Sequence, residues 1–174
     1  MGGAGNDLLD GTLGTNNRHY GGAEDDLLLG GRSDRLIGGA GDDTLLAGLG
    51  NSTLTGGLGA DEFWIVSDGL PDAVNIITDF VSGSDLIAVG GLTGVEFEDL
   101  QLVQVGEDTS IRIGEVEVAL LLRTTATALT ATDFNLPLAE RIVLEDVSQL
   151  LDGFVRDSNL DEFQGEGLGG AAWL

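Results

Sequence analysis

The chain has 174 residues with 30 acids, seven arginines and no lysine, a formal net charge of −23. A field of that sign disfavours nucleic acid and anionic membrane surfaces as partners and favours cations. No stretch is long and apolar enough to span a membrane, and one histidine without any cysteine removes the usual zinc and transition-metal donor sets.

The first element is a repeat. Between Gly2 and Trp64 the phrase Gly-Gly-x-Gly-x-Asp-x-apolar-x recurs, complete at Gly2–Asp10, Gly38–Leu46 and Gly56–Trp64, and 17 of the 29 glycines lie in the first 59 residues. Glycine tolerates positive φ and leaves no Cβ in the way, so such a loop turns sharply and points several backbone carbonyl oxygens at one spot, where the position-6 aspartate adds a carboxylate. The next three residues alternate, sending position 8 to one side: Leu9, Leu28, Leu36, Leu45, Leu54 and Phe63 form an apolar column. A three-residue strand cannot stand alone, so the phrases must wind into a solenoid with about 18 residues per turn.

Position 6 reads Asp7, Asn16, Asp26, Asp34, Asp43, Ser52 and Asp61, at spacings of 9, 10, 8, 9, 9 and 9. One insertion, in Gly11–Tyr20, is cancelled by one deletion, in Gly30–Ile37, and Arg18, His19 and Tyr20 are where a bulge is expected. Alternate phrases project from the same side, so Asp7, Asp26, Asp43 and Asp61 form an intact column, and Asn16, Asp34 and Ser52 an eroded one. Stacked coils lie about 4.8 Å apart. Two carboxylates roughly 5 Å apart repel by about 3 kcal/mol at an effective dielectric of about 20, a heavy load where whole-fold stability is about 5–15 kcal/mol. A divalent cation between loops turns that repulsion into attraction. Calcium suits these oxygens better than magnesium, because it accepts more ligands in looser geometry and uses backbone carbonyls readily.

These nonapeptides resemble those of the RTX (repeats-in-toxin) family, whose parallel β-roll binds calcium. The resemblance implies Ca2+ as cofactor. Its site residues here are Asp7, Asp26, Asp43 and Asp61, with Asp34 on the eroded side, and the loop positions Gly3, Gly5, Gly22, Glu24, Gly39, Gly41, Gly57 and Gly59. Glu24 replaces the third glycine of its loop, where a side chain threatens the geometry around Asp26. In such proteins the junction after the last repeat can hold a further calcium, for which Asp61 with Asp68, and then Asn75 or Asp79, are the candidates. Absence of cysteine fits a secreted protein stapled by metal rather than disulfides. The resemblance further implies export through a leaderless route read from a C-terminal signal, with which the ending at Leu160–Leu174 is compatible.

Beyond the roll, alternation predicts strands near Phe63–Val66, Ile76–Phe80, Leu86–Val89, Leu100–Val105, Ser110–Ile113 and Val116–Leu122, with turns at Gly106–Asp108 and Gly114–Glu115. They form an antiparallel meander over the open end of the solenoid. After Pro137 a helical apolar spacing runs through Leu138–Asp157, and residues from Ser158 are expected to be loose. Catalysis finds no support: His19 is the only histidine, it reads as a surface residue near the bulge, and no G-x-S-x-G elbow or P-loop is present. The pairs Asp25–Asp26 and Asp42–Asp43 read as ligand and neighbour rather than as a glycosidase acid and base.

The expected protein is all-β: a calcium-binding parallel β-roll over 2–64, a β-rich cap over 65–136, and a helical or loose tail over 137–174. It is not an enzyme, it acts outside the cell, and its partners are calcium ions, with neither nucleic acid nor membrane insertion. An N-terminal domain of a longer protein is the expected missing part. The alternatives are an export and stability module of a larger secreted hydrolase or toxin, and a calcium-dependent surface-adhesion module.

Overall fold

A phrase of six turn-forming residues followed by an outward, inward, outward triplet makes a short strand and a loop, and such strands gain stability only by stacking. The computed structural model describes residues 1–67 and 69–136. Strands Gly3–Ala4 (β1), Arg18–Ala23 (β3), Arg35–Ala40 (β5), Thr53–Leu58 (β7) and Asn75–Ile77 (β9) lie parallel in one sheet. Leu8–Asp10 (β2), Leu27–Leu29 (β4), Thr44–Leu46 (β6), Glu62–Val66 (β8) and Leu86–Val89 (β10) lie parallel in a second. Odd and even strands alternate along the chain, so each successive pair is one coil of a solenoid.

The expected column is the core. Leu9, Leu28, Leu45, Phe63 and Ile87 pair in register along one sheet. His19, Leu36, Leu54 and Ile77 do so along the other. Leu28, Leu36, Leu45, Leu54, Phe63, Ile77 and Ile87 are all completely buried. His19 therefore does not sit on the surface beside a bulge. Arg18–Ala23 is a regular strand paired with Arg35–Ala40, and His19 fills the inward position of its coil, stacked on Leu36 with its Nδ1 buried and unpartnered. The insertion is absorbed earlier, in the loop Gly11–Asn17, and the strand after it keeps its pairing.

Past the repeats, Leu100–Val105 (β11), Asp108–Ile113 (β12) and Val116–Leu121 (β13) form the expected antiparallel meander. Its two-residue turns place Gly106 and Gly114 at φ of 64° and 58°, where a Cβ is disfavoured. The strands at Ile76 and Leu86 behave differently: β9 and β10 add a fifth coil in parallel instead of opening the meander. Asn75-Ile76-Ile77 and Leu86-Ile87-Ala88 retain an inward apolar residue at the repeat position, and that suffices to continue the stack after the glycine loops have ended. A sixth layer follows, with β13 parallel to β9 and Phe134–Asn135 (β14) parallel to β10. The strands run β1-β3-β5-β7-β9-β13-β12-β11 in one sheet and β14-β10-β8-β6-β4-β2 in the other. The helix expected over Leu138–Asp157 and the tail from Ser158 lie outside the described residues.

Leu45 is completely buried between its register partners Leu28 and Phe63, whereas Leu13 is fully exposed. Leu45→Ala is expected to cost about 2–5 kcal/mol and Leu13→Ala within about 0.5 kcal/mol, measured by urea unfolding at saturating calcium. Equal losses would mean that the apolar column is not the core.

Candidate metal site

Each coil presents two loops, one at either junction between the sheets, and the position-6 side chains of successive coils lie in line. On the intact side the N–H of Asp7 donates to Asp26 Oδ1 at 2.8 Å, Asp26 to Asp43 at 2.8 Å, Asp43 to Asp61 at 3.0 Å and Asp61 to Asp85 at 3.1 Å. The intervals are 19, 17, 18 and 24 residues, so a long and a short coil cancel before a longer fifth one begins. Every rung consumes one carboxylate oxygen. The second oxygens of Asp26 and Asp43 are buried and have no hydrogen-bond partner. A buried, unpaired carboxylate oxygen costs far more than a neutral unsatisfied group, so its natural complement is a cation.

The loops bring further oxygens to the same place. A Cβ on Gly21 would lie 2.1 Å from Asp26 Oδ2 and 2.7 Å from the Gly38 carbonyl of the next coil; one on Gly2 would meet Asp7 Oδ2 at 2.2 Å and Gly21 O at 2.7 Å. These position-1 glycines are absent from the sequence-derived set, which drew on positions 2 and 4. At position 2, a Cβ on Gly22, Gly39 or Gly57 would lie 2.1–2.2 Å from the carbonyl oxygen of the glycine one coil before. Gly3, at φ of 146°, begins that row. Position 4 holds Gly5, Glu24, Gly41 and Gly59, all at positive φ. Glu24 adopts the left-handed backbone at 73°, its carbonyl packs under Gly41 as the Gly41 carbonyl packs under Gly59, and the Asp26 rungs on either side keep 2.8 Å. The substitution does not distort the column.

The eroded side differs in register and chemistry. Its rungs are Asn17 to Asp34 at 2.7 Å, Asp34 to Ser52 at 3.1 Å and Ser52 to Asn75 at 3.0 Å. Position 6 of that coil is therefore Asn17 and not Asn16, which takes the left-handed φ of 58° in the lengthened loop. Asp34 has no free oxygen: its shortened loop brings the Gly31 N–H to Oδ2 at 2.6 Å, with Asn17 Nδ2 at 3.4 Å. A neutral donor set and an internally satisfied carboxylate leave little there for a cation.

Two groups escaped the sequence reading. Asp85 extends the intact column beyond the repeats. Asn6, Asp25 and Asp42, at a variable position, form a second ladder of opposite polarity: each Oδ1 accepts the N–H of the following coil, from Asp25 at 3.2 Å, Asp42 at 2.8 Å and Ala60 at 2.8 Å. The paired acids at Asp25–Asp26 and Asp42–Asp43 thus staple a coil to both neighbours. Of the expected junction candidates, Asp79 accepts the Gly56 N–H at 3.1 Å, in the Asp61 loop, and Asn75 accepts the Ser52 N–H on the eroded side. Asp68 lies outside the described residues.

Among the described residues no three acidic or histidine side chains converge on one point. A cation held here takes backbone carbonyls for much of its shell, a donor set that fits calcium and suits magnesium or transition metals poorly.

Comparison with known proteins agrees with this geometry. The model of the RTX calcium-binding nonapeptide repeat (four copies) matches residues 1–17, 19–54 and 30–63. No curated protein matches the chain in sequence. Among solved structures, the R2 subunit of the Azotobacter vinelandii mannuronan C5-epimerase AlgE6 aligns over 82% of this chain and 96% of its own, at 24% identity and a TM-score of 0.50. The R3 subunit of the same enzyme aligns over 99% and 94%, at 21% identity and a TM-score of 0.49. The R2 likeness supports the same fold.

Burial, reinforced by the like charges of Asp26, Asp25 and Asp42 and partly offset by the Asp26 N–H, raises the Asp43 carboxyl to about 6 from 3.8. Burial likewise raises Asp61 to about 6, with Asp85, Asp43 and Asp79 adding repulsion and the Asp43 N–H opposing it. The metal-free fold then binds more protons than the unfolded chain between these values. In chelator the stability that Asp43 and Asp61 contribute is expected to be fully present below about pH 4 and to be lost as pH rises through about 6. Urea unfolding in chelator at pH 5 and 7.5 checks this, and a metal-free fold at least as stable at 7.5 would contradict it.

Proposed function

We propose that calcium occupies the intact aspartate column and drives the chain to fold, a reading supported by the match of residues 1–17, 19–54 and 30–63 to the RTX calcium-binding nonapeptide repeat. The observation that carries the proposal is the pair of buried, unpartnered oxygens on Asp26 and Asp43. Asp7, Asp26, Asp43 and Asp61 supply carboxylates, and the position-1, -2 and -4 loop carbonyls complete the shell. Calcium supplies charge neutralisation at these oxygens. The remaining work is the chain's own: Oδ1 of each rung sets the spacing between coils, and the glycines keep Cβ atoms out of the space beside Oδ2. Because the site exists only in the coiled state, binding free energy is folding free energy.

Such coupling suits a protein that folds outside the cell, where calcium is plentiful, after crossing the envelope unfolded. A leaderless export route fits that setting. The proposed role is that of a calcium-dependent structural module, with no catalysis assigned to the described residues.

In chelator at neutral pH the far-ultraviolet circular dichroism is expected to show little β-structure, which calcium restores and magnesium restores far less. Identical spectra with and without calcium would overturn the proposal. Asp43→Asn keeps an acceptor for the Asp26 N–H while removing the charge shared by two gaps, and should raise the calcium midpoint by about tenfold or more, since ligand charge tunes affinity. Asp34→Asn, whose carboxylate is already satisfied within its loop, should shift it by less than about threefold. Equal shifts would reject the assignment of calcium to the Asp43 side.

A further inference from the structure

Four strands end the two sheets among the described residues: β1 and β11 in one, β14 and β2 in the other. β1 and β14 are two residues long and β2 is three, but β11 is six. Proteins keep such an edge from pairing with another chain by shortening it, by placing charge or proline on it, or by bulging it. β11 uses none of these devices. It reads Leu-Gln-Leu-Val-Gln-Val, without charge, proline or glycine, and it pairs with β12 in unbroken register, from Leu100 opposite Ile113 to Val105 opposite Asp108.

The hairpin fixes which groups the edge offers. A two-residue turn at Gly106–Glu107 makes Val105 and Asp108 a hydrogen-bonded pair, so Val103 and Gln101 also bond to β12, while Leu100, Leu102 and Gln104 point their N–H and C=O groups away from it. The Leu100 N–H agrees with this phase, since it donates to the Phe97 carbonyl. The outward backbone groups of Leu102 and Gln104 bond to no other described segment. On one face of the strand Val103 and Val105 are 43% and 52% exposed, and on the other Leu102 is half-buried beside the core residue Ile111. The edge therefore offers two pairs of main-chain groups flanked by apolar side chains on both faces.

Charge at its ends selects the occupant. Glu98 and Asp99 precede the strand and Glu107 follows it, all three exposed, and neither Glu98 nor Glu107 is bonded to another described residue. A second copy would satisfy the free groups antiparallel, with Leu102 opposite Gln104 of its partner. That register sets Asp99 opposite Glu107 and Glu98 opposite Asp108, like charges face to face on chains of net charge −23. A strand with basic residues at both ends meets opposite charge instead, whichever way it runs.

We propose that β11 is a docking edge for an extended cationic segment of another protein, which joins the eight-stranded sheet beside Leu100–Val105 with apolar side chains at alternate positions and lysine or arginine at both ends. Main-chain hydrogen bonds at Leu102 and Gln104 hold the segment, and the flanking acids choose it.

The probe is the peptide Lys-Arg-Thr-Val-Thr-Val-Thr-Arg-Lys, compared with the same peptide N-methylated throughout its centre, which keeps the charge but cannot pair, and with one carrying glutamate at the four basic positions. Amide exchange of the full chain in calcium is followed by NMR. At about ten times its Kd the basic peptide is expected to slow exchange of the Leu102 and Gln104 amides about tenfold, and the other two peptides to leave it unchanged. Glu98→Gln combined with Glu107→Gln, which removes only exposed and unbonded charge, should weaken the basic peptide about threefold to tenfold. No slowing by the basic peptide, or equal slowing by its N-methylated form, would overturn the proposal, the latter marking general attraction to an acidic surface. Unchanged affinity in the double variant would also overturn it. Slowing of the same two amides by rising protein concentration alone would assign the edge to a second copy and reject the cationic partner.

Discussion

One hydrogen bond, repeated from coil to coil, organises this protein: the backbone N–H of each position-6 residue donates to the side-chain oxygen of its equivalent one coil further on. It takes an acceptor on a short side chain at a fixed place, which aspartate, asparagine and serine all supply, and both columns use it. The bond sets how far apart the coils lie and which loops face each other. What separates the two columns is the other oxygen. Asparagine and serine have no second carboxylate oxygen to leave over, and Asp34 spends its own on Gly31, but Asp26 and Asp43 leave theirs buried and bare. One architecture thus produces a neutral seam and a charged seam.

The charged seam opposes folding until something neutralises it. Raised carboxyls at Asp43 and Asp61 express that conflict, since burial and neighbouring carboxylates both disfavour the ionised form. The second ladder through Asn6, Asp25 and Asp42 runs on exposed side chains and carries the opposite polarity; its carboxylates hold coils together while Asp25 and Asp42 add to the repulsion on Asp43. A solenoid of strands two to six residues long has little else to align it. Its alignment rests on an apolar column inside and rows of side-chain acceptors at the loops, one of which carries buried, unpartnered carboxylate oxygens.

The upper end of the roll solves a different problem. An open solenoid exposes unpaired strand edges and a bare end of core. Here β13 and β14 cover both sheets with a sixth parallel layer, β11 and β12 carry one sheet onward as a meander, and Phe97 packs on Phe134 at 5.3 Å. The cap grows from the solenoid's own hydrogen bonding. That continuity brings a residue as distant as Asp133 to the Asp79–Asp85 loop, where its Oδ1 accepts the Gly83 N–H at 2.8 Å.

By itself the sequence determined the solenoid, its period, the apolar column and the acidic seam, because a nine-residue phrase encodes turn, strand and inward side chain within one local window. The strands of the meander were legible for the same reason, through alternation and two glycine turns. Tertiary structure decided the rest. Asn16 and Asn17 are adjacent and chemically alike, and only pairing with Asp34 selects Asn17. His19 looked like a surface residue because its position-8 role depends on where the inserted residue is absorbed, which is settled by β3 pairing with β5. Asp85 and Asp133 carry no repeat signature. Their roles come from hydrogen bonds spanning 24 and 50 residues, and no local pattern records which distant N–H a carboxylate will meet once the coils are stacked.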